Sequence, residues 1–423
     1  MIDITLHPEK VAEVAAAARE RIEKYNIRAF KGMDKPLFLI SDAYPGIWLE
    51  HVYDSVISAK MDPSKLPLAV NTLNLFMDYQ RPDGQLPCYV WDANKMPDCP
   101  PEKLIGYGQT QECVSFARLC YEVYEMTRDR GFLEKAYRSA SMWENWFRNT
   151  RMTTGRGLVE MFYGYDTGHD NSGRLEGMLF KGNAGDHIPT PEEKEKDVAP
   201  IIAVDMNCNF YATEVTLADM ARELGLPEDE KNWREKAKDV KKRLFEVCFD
   251  KDDCFFYDVD KNGNRRKFLS STIFHLFLEK VLDPEEDAAL IREIYERHIS
   301  NPDEFNTPFP YPSMAVSDPS VNGHAERNCW GYYSQGLIAL RCTRWMDYYG
   351  FNADFDRLCE RWLTAWTSCF GRVNLGQELD PFTGEPTACS EWYSSCMIFF
   401  IFAAKRLGYI DKSLKMKFQT KQF

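Results

Sequence analysis

Apolar residues recur along most of this chain at intervals of three and four, which is the spacing of amphipathic helices. The first example is residues 8–25, where Val11, Val14, Ala18 and Ile22 share one face. The same spacing predicts eleven further helices. The first of these is expected to end near residue 60. The other ten are expected to cover residues 67–79, 109–127, 131–149, 205–224, 228–247, 268–282, 285–299, 327–349, 354–369 and 390–407.

Most of the predicted helices follow one another in pairs, and strand signals such as Phe255-Phe256-Tyr257 are few and short. Because strands and helices do not alternate, the pattern does not predict a parallel sheet. No change in composition and no Gly/Ser linker divides the chain. We therefore predict one all-α domain over residues 1–423, built as an (α/α)6 toroid of six helical hairpins, with a flap at 180–200. A helical solenoid is the alternative, but the pairs show no fixed repeat length.

Residues 163–174 carry the densest group of reactive side chains, and they follow neither a strand nor a helix period. This predicted loop contains Asp166, His169, Asp170 and Arg174 among glycines and small polar residues. Asp-Asn-Ser-Gly is more commonly an ordinary turn with solvated charges. In a toroid, however, the loops at one end converge, so the loops near residues 50, 83, 170, 310, 330 and 378 should meet around one cavity.

Composition and charge narrow the class of partner. Aromatic residues make up 14% of the chain, which suits a large core and also a cleft in which rings stack on sugars. The net charge of -13 argues against nucleic acid or an anionic membrane as a partner. The longest apolar run, residues 397–404, is too short to span a bilayer, and residues 1–5 do not resemble the start of a signal peptide.

The cysteines indicate a reducing compartment. There are 13 of them, an odd number, and they are scattered without a C-x-x-C pair. This arrangement predicts buried reduced thiols in a cytoplasmic protein, with neither disulfides nor a zinc site.

Residues 166–174 resemble the E-S-G-x-D-N-S-x-R segment of the (α/α)6 glycoside hydrolases related to trehalase, processing α-glucosidase (glycoside hydrolase family 63) and mannosylglycerate hydrolase. Other segments resemble further motifs of these enzymes, in the same order from about residue 44 to 407. They are residues 48–51 (W-D-H), 80–87 (Q-x-x-D-G-x-I-P), 205–224 (a helix opening with D-x-N), 305–313 (F-x-T-P…P-S), 377–384 (E-x-x-x-P-x-T-G) and 390–394 (F-S-W-T/S).

The resemblance implies a pair of catalytic carboxyl groups. Glycoside cleavage needs one acid to protonate the leaving oxygen and one carboxylate on the opposite face. In these terms Asp170 is the general acid and Glu378 is the base that activates water, which gives inversion without a metal or another cofactor. Glu385 and Glu391 are competing candidates for the base. An ungapped match places Gln377 there instead, and an amide cannot accept the proton.

The resemblance also implies a set of substrate-binding residues. Carboxylates, amides and a guanidinium would hold sugar hydroxyls, and tryptophans would stack on the ring. The alternative for each is a packing contact or a surface salt bridge. The set comprises Trp48, Glu50, Gln80, Asp83, Asp166, Arg174, Trp330 and Trp392.

The sequence therefore predicts a cytoplasmic, inverting α-glycosidase that acts on a short oligosaccharide or small glycoside. Its partner is a small carbohydrate, and its oligomeric state is open. One alternative is a sugar 2-epimerase on the same barrel, which would use histidines facing the cleft, with His51, His169 and His324 as candidates. Another is a non-catalytic carbohydrate-binding relative.

Overall fold

A computed structural model of the protein describes residues 5–179, 190–321, 330–387 and 390–411. Helices dominate the described residues. They are α1 (Pro8–Tyr25), α2 (Val52–Met61), α3 (Leu66–Asp78), α4 (Phe116–Thr127), α5 (Arg130–Thr150), α6 (Pro191–Lys196), α7 (Val204–Leu224), α8 (Pro227–Cys248), α9 (His275–Leu278), α10 (Ala288–Ile294), α11 (Gly336–Cys342), α12 (Asn352–Cys369) and α13 (Ser394–Arg406).

The helices form two concentric layers. The inner layer consists of α2, α4, α7, α9, α11 and α13, and contacts run from α11 through α13, α2, α4 and α7 to α9. The outer layer pairs α3 with α2, α5 with α4 and α8 with α7, and α1 packs on α13. In chain order α10 follows α9 and α12 follows α11. The predicted all-α class and (α/α)6 toroid are confirmed.

The strands are short antiparallel ribbons. They are β1 (Ile27–Arg28), β2 (Leu37–Phe38), β3 (Gly46–Trp48), β4 (Tyr89–Trp91), β5 (Ile105–Gly106), β6 (Glu160–Met161), β7 (Ile201–Ile202), β8 (Phe249–Asp250), β9 (Phe255–Phe256), β10 (Ser334–Gln335) and β11 (Glu378–Leu379). Two ribbons matter for the site, namely β3-β4-β5 and β10-β11. Each contains a strand that leads directly into an inner helix, so it fixes how the chain enters that helix.

Local signals set the clearest helix ends. The side chain of Ser115 accepts a hydrogen bond from the backbone of Arg118 at the start of α4, and Asp129 does the same for Phe132 in α5. Gly225 adopts the left-handed conformation with φ 79° and ends α7.

Several predicted helices are shorter than their sequence pattern, and in 285–299 the α-helix covers only Ala288–Ile294. The segment 109–127 becomes helical only at Phe116, because the backbone amide of Thr110 donates to Asp166 in the central loop, residues 163–174. The segment 268–282 holds a 3-10 turn and then α9, and Ser270 bridges to Met314 instead of continuing a helix. In 327–349 only α11 is an α-helix among the residues described.

Buried apolar side chains from Val11 to Ala404 form one continuous cluster. Our interpretation of residues 1–423 as one domain is compatible with that cluster and stays a prediction. Half of the predicted flap, residues 180–189, lies outside the described residues, and the other half includes α6. Among the described helices, none has the length and apolarity needed to cross a membrane.

Candidate active site

The central loop lies at the end of the barrel where the inner helices begin. Gly168 takes φ +71°, and a Cβ added there would stand 2.7 Å from Oε2 of Glu50 and would clash with the sulfur of Cys113. Glycine therefore allows the loop to approach α2 closely enough to place Asp170 beside Glu50.

Asp170 has the electrostatic character of a proton donor. Its Oδ1 atom is buried and has no hydrogen-bond partner among the described residues. Burial first, and the neighbouring carboxylate of Glu50 second, raise the pKa of Asp170 to about 8. The carboxyl group is therefore mostly protonated at neutral pH.

Glu50 is fixed between a strand and an inner helix. It sits in a 3-10 turn, Leu49–His51, that joins β3 to α2. One carboxylate oxygen accepts a hydrogen bond from Arg341 on α11 at 2.5 Å, and the other accepts one from Gln111 at 3.4 Å. Arg341 thus connects two inner helices and holds the anion that faces Asp170.

Asp166 organises the loop from within. It is fully buried, and its Oδ2 atom accepts a 2.6 Å hydrogen bond from Arg151 and further bonds from the backbone of Phe162 and Tyr163. Its Oδ1 atom accepts from the backbone of Thr110 at 2.9 Å. Both carboxylate oxygens thus accept hydrogen bonds from the protein, and a contact of Asp166 with sugar hydroxyls stays a prediction.

Arg174 has a similar internal role. It is buried and donates to Asp205 on α7 at 2.7 Å, to Asp258 at 2.8 Å and to the hydroxyl of Thr167 at 2.7 Å. The guanidinium ties the end of the loop to the first turn of α7. A direct contact of Arg174 with sugar stays a prediction.

Trp330 stacks on the residue that precedes the candidate acid. Its ring lies 4.4 Å from the ring of His169 at an interplanar angle of 19°, and both side chains are buried. His169 covers one face of the indole, so Trp330 packs against the central loop, which is called the acid loop because it carries Asp170. The predicted stacking of Trp330 on sugar stays a prediction.

Glu378 stands on β11, directly opposite Gln335 of β10. Its side chain is 2% exposed, and Oε2 accepts a 2.7 Å hydrogen bond from the hydroxyl of Thr387. The backbone carbonyl of the preceding residue, Gln377, accepts from the amide of Gly336 at the start of α11. The candidate base is thus tied to the same end of the inner layer as the acid loop.

The rival glutamates lie in different surroundings. Glu385 is half exposed and forms a 2.5 Å ion pair with Arg372. Glu391 accepts two hydrogen bonds from Asn374, at 2.9 Å and 3.2 Å. Of the three candidates, Glu378 is the one buried against the inner helices.

Trp48 belongs to an aromatic group that precedes Glu50 in the chain. Its ring meets Tyr89 edge-on at 4.9 Å and Trp91 at 6.4 Å, across the β3-β4 pairing. Tyr89 and Trp91 were not among the predicted site residues, although their alternation with a buried Val90 is a strand signal.

Three predicted substrate-binding residues contact other parts of the protein or solvent. They are Gln80, Asp83 and Trp392. The amide of Gln80 donates to the carbonyls of Gly84 and Ser139, at 2.8 and 2.9 Å, which holds its own loop against α5. The side chain of Asp83 is 52% exposed. Trp392 packs edge-on against Phe370 near α1. The structure does not bring these three into contact with Glu50 or Asp170, and their binding roles stay predictions.

A buried carboxyl group on α2 was missed by sequence reasoning. Asp54 follows Glu50 by one helical turn and accepts hydrogen bonds from Ser394 and Ser395 at the start of α13. Burial raises its pKa to about 7. Beside it, the ring of His51 bonds to the hydroxyl of Tyr393. The four-residue spacing of Glu50 and Asp54 was the signal available.

The loops near residues 50, 170, 310, 330 and 378 are connected by direct contacts. Ser172 touches Met314 at 3.3 Å, and Pro312 bridges to Ser334. The loop near residue 83 leads into the β3-β4 ribbon, and Gln85 at its end donates to the carbonyl of Tyr107 at 2.8 Å. Of the histidines considered for an epimerase, His51 and His169 are buried, and His324 lies outside the described residues.

Known proteins that resemble this chain are glycoside hydrolases, both by sequence family and by fold. Residues 65–394 match the mannosylglycerate hydrolase MGH1-like glycoside hydrolase domain. The fold is similar to a mannosylglycerate hydrolase of glycoside hydrolase family 63 from Thermus thermophilus, crystallised with Tris, at 19% identity and a TM-score of 0.70, over 92% of this chain and 99% of that one. It is also similar to neutral trehalase from Saccharomyces cerevisiae, at 13% identity and a TM-score of 0.66, over 97% and 81%. None of the curated protein sequences matches this chain.

Proposed function

Because residues 65–394 make this chain a member of the MGH1-like glycoside hydrolase family, we propose that it hydrolyses a small glycoside with inversion at the anomeric carbon. Asp170 is the general acid that protonates the leaving oxygen. Glu378 is the general base that removes a proton from the attacking water. No step requires a group beyond these carboxyls, water and the substrate.

The observation that carries this proposal is the environment of Asp170. A general acid has to be protonated in the resting enzyme, and burial beside Glu50 raises its pKa to about 8. Among the described residues its Oδ1 atom has no hydrogen-bond partner, so a proton given up there would break no bond to the protein. An ordinary turn aspartate would be solvated and ionised at neutral pH.

The arrangement around Glu378 supports its role as base. The hydroxyl of Thr387 and the strand pairing with Gln335 fix its direction. The rival Glu385 is engaged in a half-exposed ion pair, where water screens it. We expect the carboxyl groups of Asp170 and Glu378 to stand about 6.5–9.5 Å apart when substrate is bound, which leaves room for one water.

The proposed substrate is a short α-linked oligosaccharide or a small glycoside, and the alternatives remain a sugar epimerase and a non-catalytic relative. The acidic net charge of -13 supports the proposal that nucleic acid is not a partner. The described cysteines are free and mostly buried, which supports a cytoplasmic location.

The test of function is hydrolysis of a panel of α-glucosides and α-mannosides, with an epimerase assay on the free sugars beside it. Asp170→Asn should lower turnover of glycosides with poor leaving groups by roughly 10²–10⁴-fold, since an amide cannot donate the proton. Glycosyl fluorides, which need little protonation, should lose much less. Equal losses on both substrate types would remove Asp170 from the role of acid.

The base is tested by a matched pair of variants. Glu378→Gln should lose hydrolysis of both glycosides and fluorides, because each needs an activated water. Glu385→Gln, on the same hairpin but half exposed, should retain it. Near-normal hydrolysis by Glu378→Gln would exclude it as the base, and epimerisation without hydrolysis would overturn the proposed function.

A further inference from the structure

A small internal cavity lies directly behind the acid loop. Its polar wall consists of His169 of the loop, Ser271 in the 3-10 turn before α9, His275 at the start of α9, and Arg341 of α11. The rest of the wall is apolar and consists of Phe274, Leu278, Ile338 and Trp345. The cavity is therefore bordered by the acid loop, by the segment that forms α9 and by α11.

Three of the residues that line the cavity each carry a polar side-chain atom with no hydrogen-bond partner among the described residues. They are Nε2 of His169, Oγ of Ser271 and Nη1 of Arg341, and each belongs to a buried side chain. Buried polar atoms in folded proteins nearly always have a hydrogen-bond partner, so three of them around one small space indicate a bound polar molecule.

The size of the cavity and its chemistry select the occupant. There is room for about one water molecule. A divalent cation has possible ligands in His169, Asp205 and His275, whose ligand atoms lie within 4.8 Å of one another. However, Arg341 lines the same cavity and Arg174 binds Asp205, so a cation would meet two guanidinium charges. Water can donate to an imidazole nitrogen and accept from a guanidinium at once.

We propose that this cavity binds one water molecule, which bridges His169 to Ser271 and Arg341 and so positions the loop that carries Asp170. The inference rests on the proposed function, in which Asp170 is the acid. His169 and Ser271 are positioning residues, since neither is assigned a contact with substrate.

The loop depends on such support because its backbone is held in an unusual conformation. Asn171, on the far side of Asp170, has φ 58°, which is uncommon for a residue other than glycine. His169 is held on one ring face by Trp330 and, at Nε2, by the water. The other arm of Arg341 binds Glu50, so the same guanidinium fixes the water and the anion beside the acid.

The experiment combines a crystal structure with a pair of serine variants. The wild-type structure should show a water within about 2.7–3.2 Å of the three polar atoms. Ser271→Ala keeps the space and removes one partner. It should lower kcat for a glycoside with a poor leaving group roughly tenfold, as expected for one weakened water-mediated contact, with KM unchanged. Hydrolysis of the matching glycosyl fluoride should hardly change.

Ser139→Ala is the matched control, because this buried serine on α5 also has a hydroxyl without a described partner but does not line the cavity. It should leave both substrates unaffected. A dry cavity, a metal peak in anomalous scattering, or an equal loss on glycoside and fluoride in Ser271→Ala would overturn the inference. The crystallographic arm does not depend on activity, so it separates failure of this inference from failure of the proposed function.

Discussion

The carboxyl group of Asp170 owes its character to two neighbours that the chain brings together. Its own burial removes the water that would stabilise the charge, and Glu50 places a second carboxylate nearby. Arg341 keeps Glu50 in place through a 2.5 Å hydrogen bond. A proton donor at neutral pH follows from these contacts and not from the aspartate alone.

The pH dependence of hydrolysis should report this arrangement. Turnover of glycosides with poor leaving groups should fall as pH rises through about 8, because Asp170 then loses its proton. Glu50→Gln removes the neighbouring charge, lowers the pKa of Asp170 and should move this limb to lower pH. The measurement is kcat/KM against pH for both proteins.

Glu385→Gln serves as the control for the pH experiment, because this glutamate is half exposed and pairs with Arg372. Its profile should match that of the wild type. An unmoved basic limb in Glu50→Gln would show that Glu50 does not tune the acid.

Asp170 and Glu378 could be predicted from the sequence, but Arg341 and Asp54 could not. Asp170 and Glu378 lie in motifs whose neighbours are adjacent in the chain. Arg341 bonds to Glu50 across 291 positions, and Ser395 to Asp54 across 341. Such pairs exist only once the barrel closes, so local patterns carry no signal for them.

At the scale of single elements, the acid loop is held by buried polar contacts at both ends. Asp166 gathers the backbone of the loop around its carboxylate, and Arg174 fastens the far end to α7. Gly168 allows the close approach to Glu50 between them. The loop can therefore present Asp170 in one position without belonging to a helix.

Asp166→Asn should destabilise the protein markedly. The change leaves Arg151 without its buried partner charge, and breaking such a pair costs about 3–5 kcal/mol of unfolding free energy. Asp83→Asn, at a half-exposed position on another loop, should stay within about 0.5 kcal/mol. Urea denaturation of both variants measures the difference, and similar midpoints would contradict the anchoring role of Asp166.

The ends of a helix were predictable where no loop side chain competes for the backbone groups of that helix. The predicted helix over 8–25 matches α1, and the predictions over 205–224 and 228–247 fall within one residue of α7 and α8. The errors gather at the site end, as in 109–127, where side chains of the loop take over backbone groups that a helix would use. Local periodicity cannot anticipate that competition.

At the scale of the whole molecule, several interior carboxyl groups titrate near neutral pH, well above the ordinary range of a carboxyl group. Burial raises the pKa values of Asp54 and Glu112 to about 7 and those of Asp170 and Glu214 to about 8. These four groups therefore bind more protons in the native state than in the unfolded chain near neutrality. Lys280, whose pKa burial lowers to about 6, works in the opposite direction and offsets part of this effect.

Stability should consequently fall as the pH rises from 7 to 9. Each raised carboxyl pKa contributes stability that is complete below the unfolded pKa and is lost as pH passes the folded value. The melting temperature should be lower at pH 9 than at pH 7, and the fall should be shallower in Asp170→Asn, which removes a group that titrates near pH 8. A melting temperature that rises over this interval would contradict the assignment of neutral buried carboxyls.

The toroid itself sets how the two candidate catalytic loops lie relative to each other. The acid loop and the β10-β11 ribbon both lie at the end where inner helices begin. Helix N-termini favour negative charge, which suits an end lined with carboxyl groups. This arrangement supports the proposal that an acid and a base act from opposite faces of a sugar bound between the two loops.

The most direct test of the central claim is the configuration of the first sugar released. Proton NMR should follow hydrolysis of α-glucosyl and α-mannosyl fluorides and be read before mutarotation. With Asp170 as acid and Glu378 as base, the β-anomer should appear first and the α-anomer only later. Initial release of the α-anomer would mean retention through a covalent intermediate, and it would contradict the assignment of Glu378 as a base acting on water.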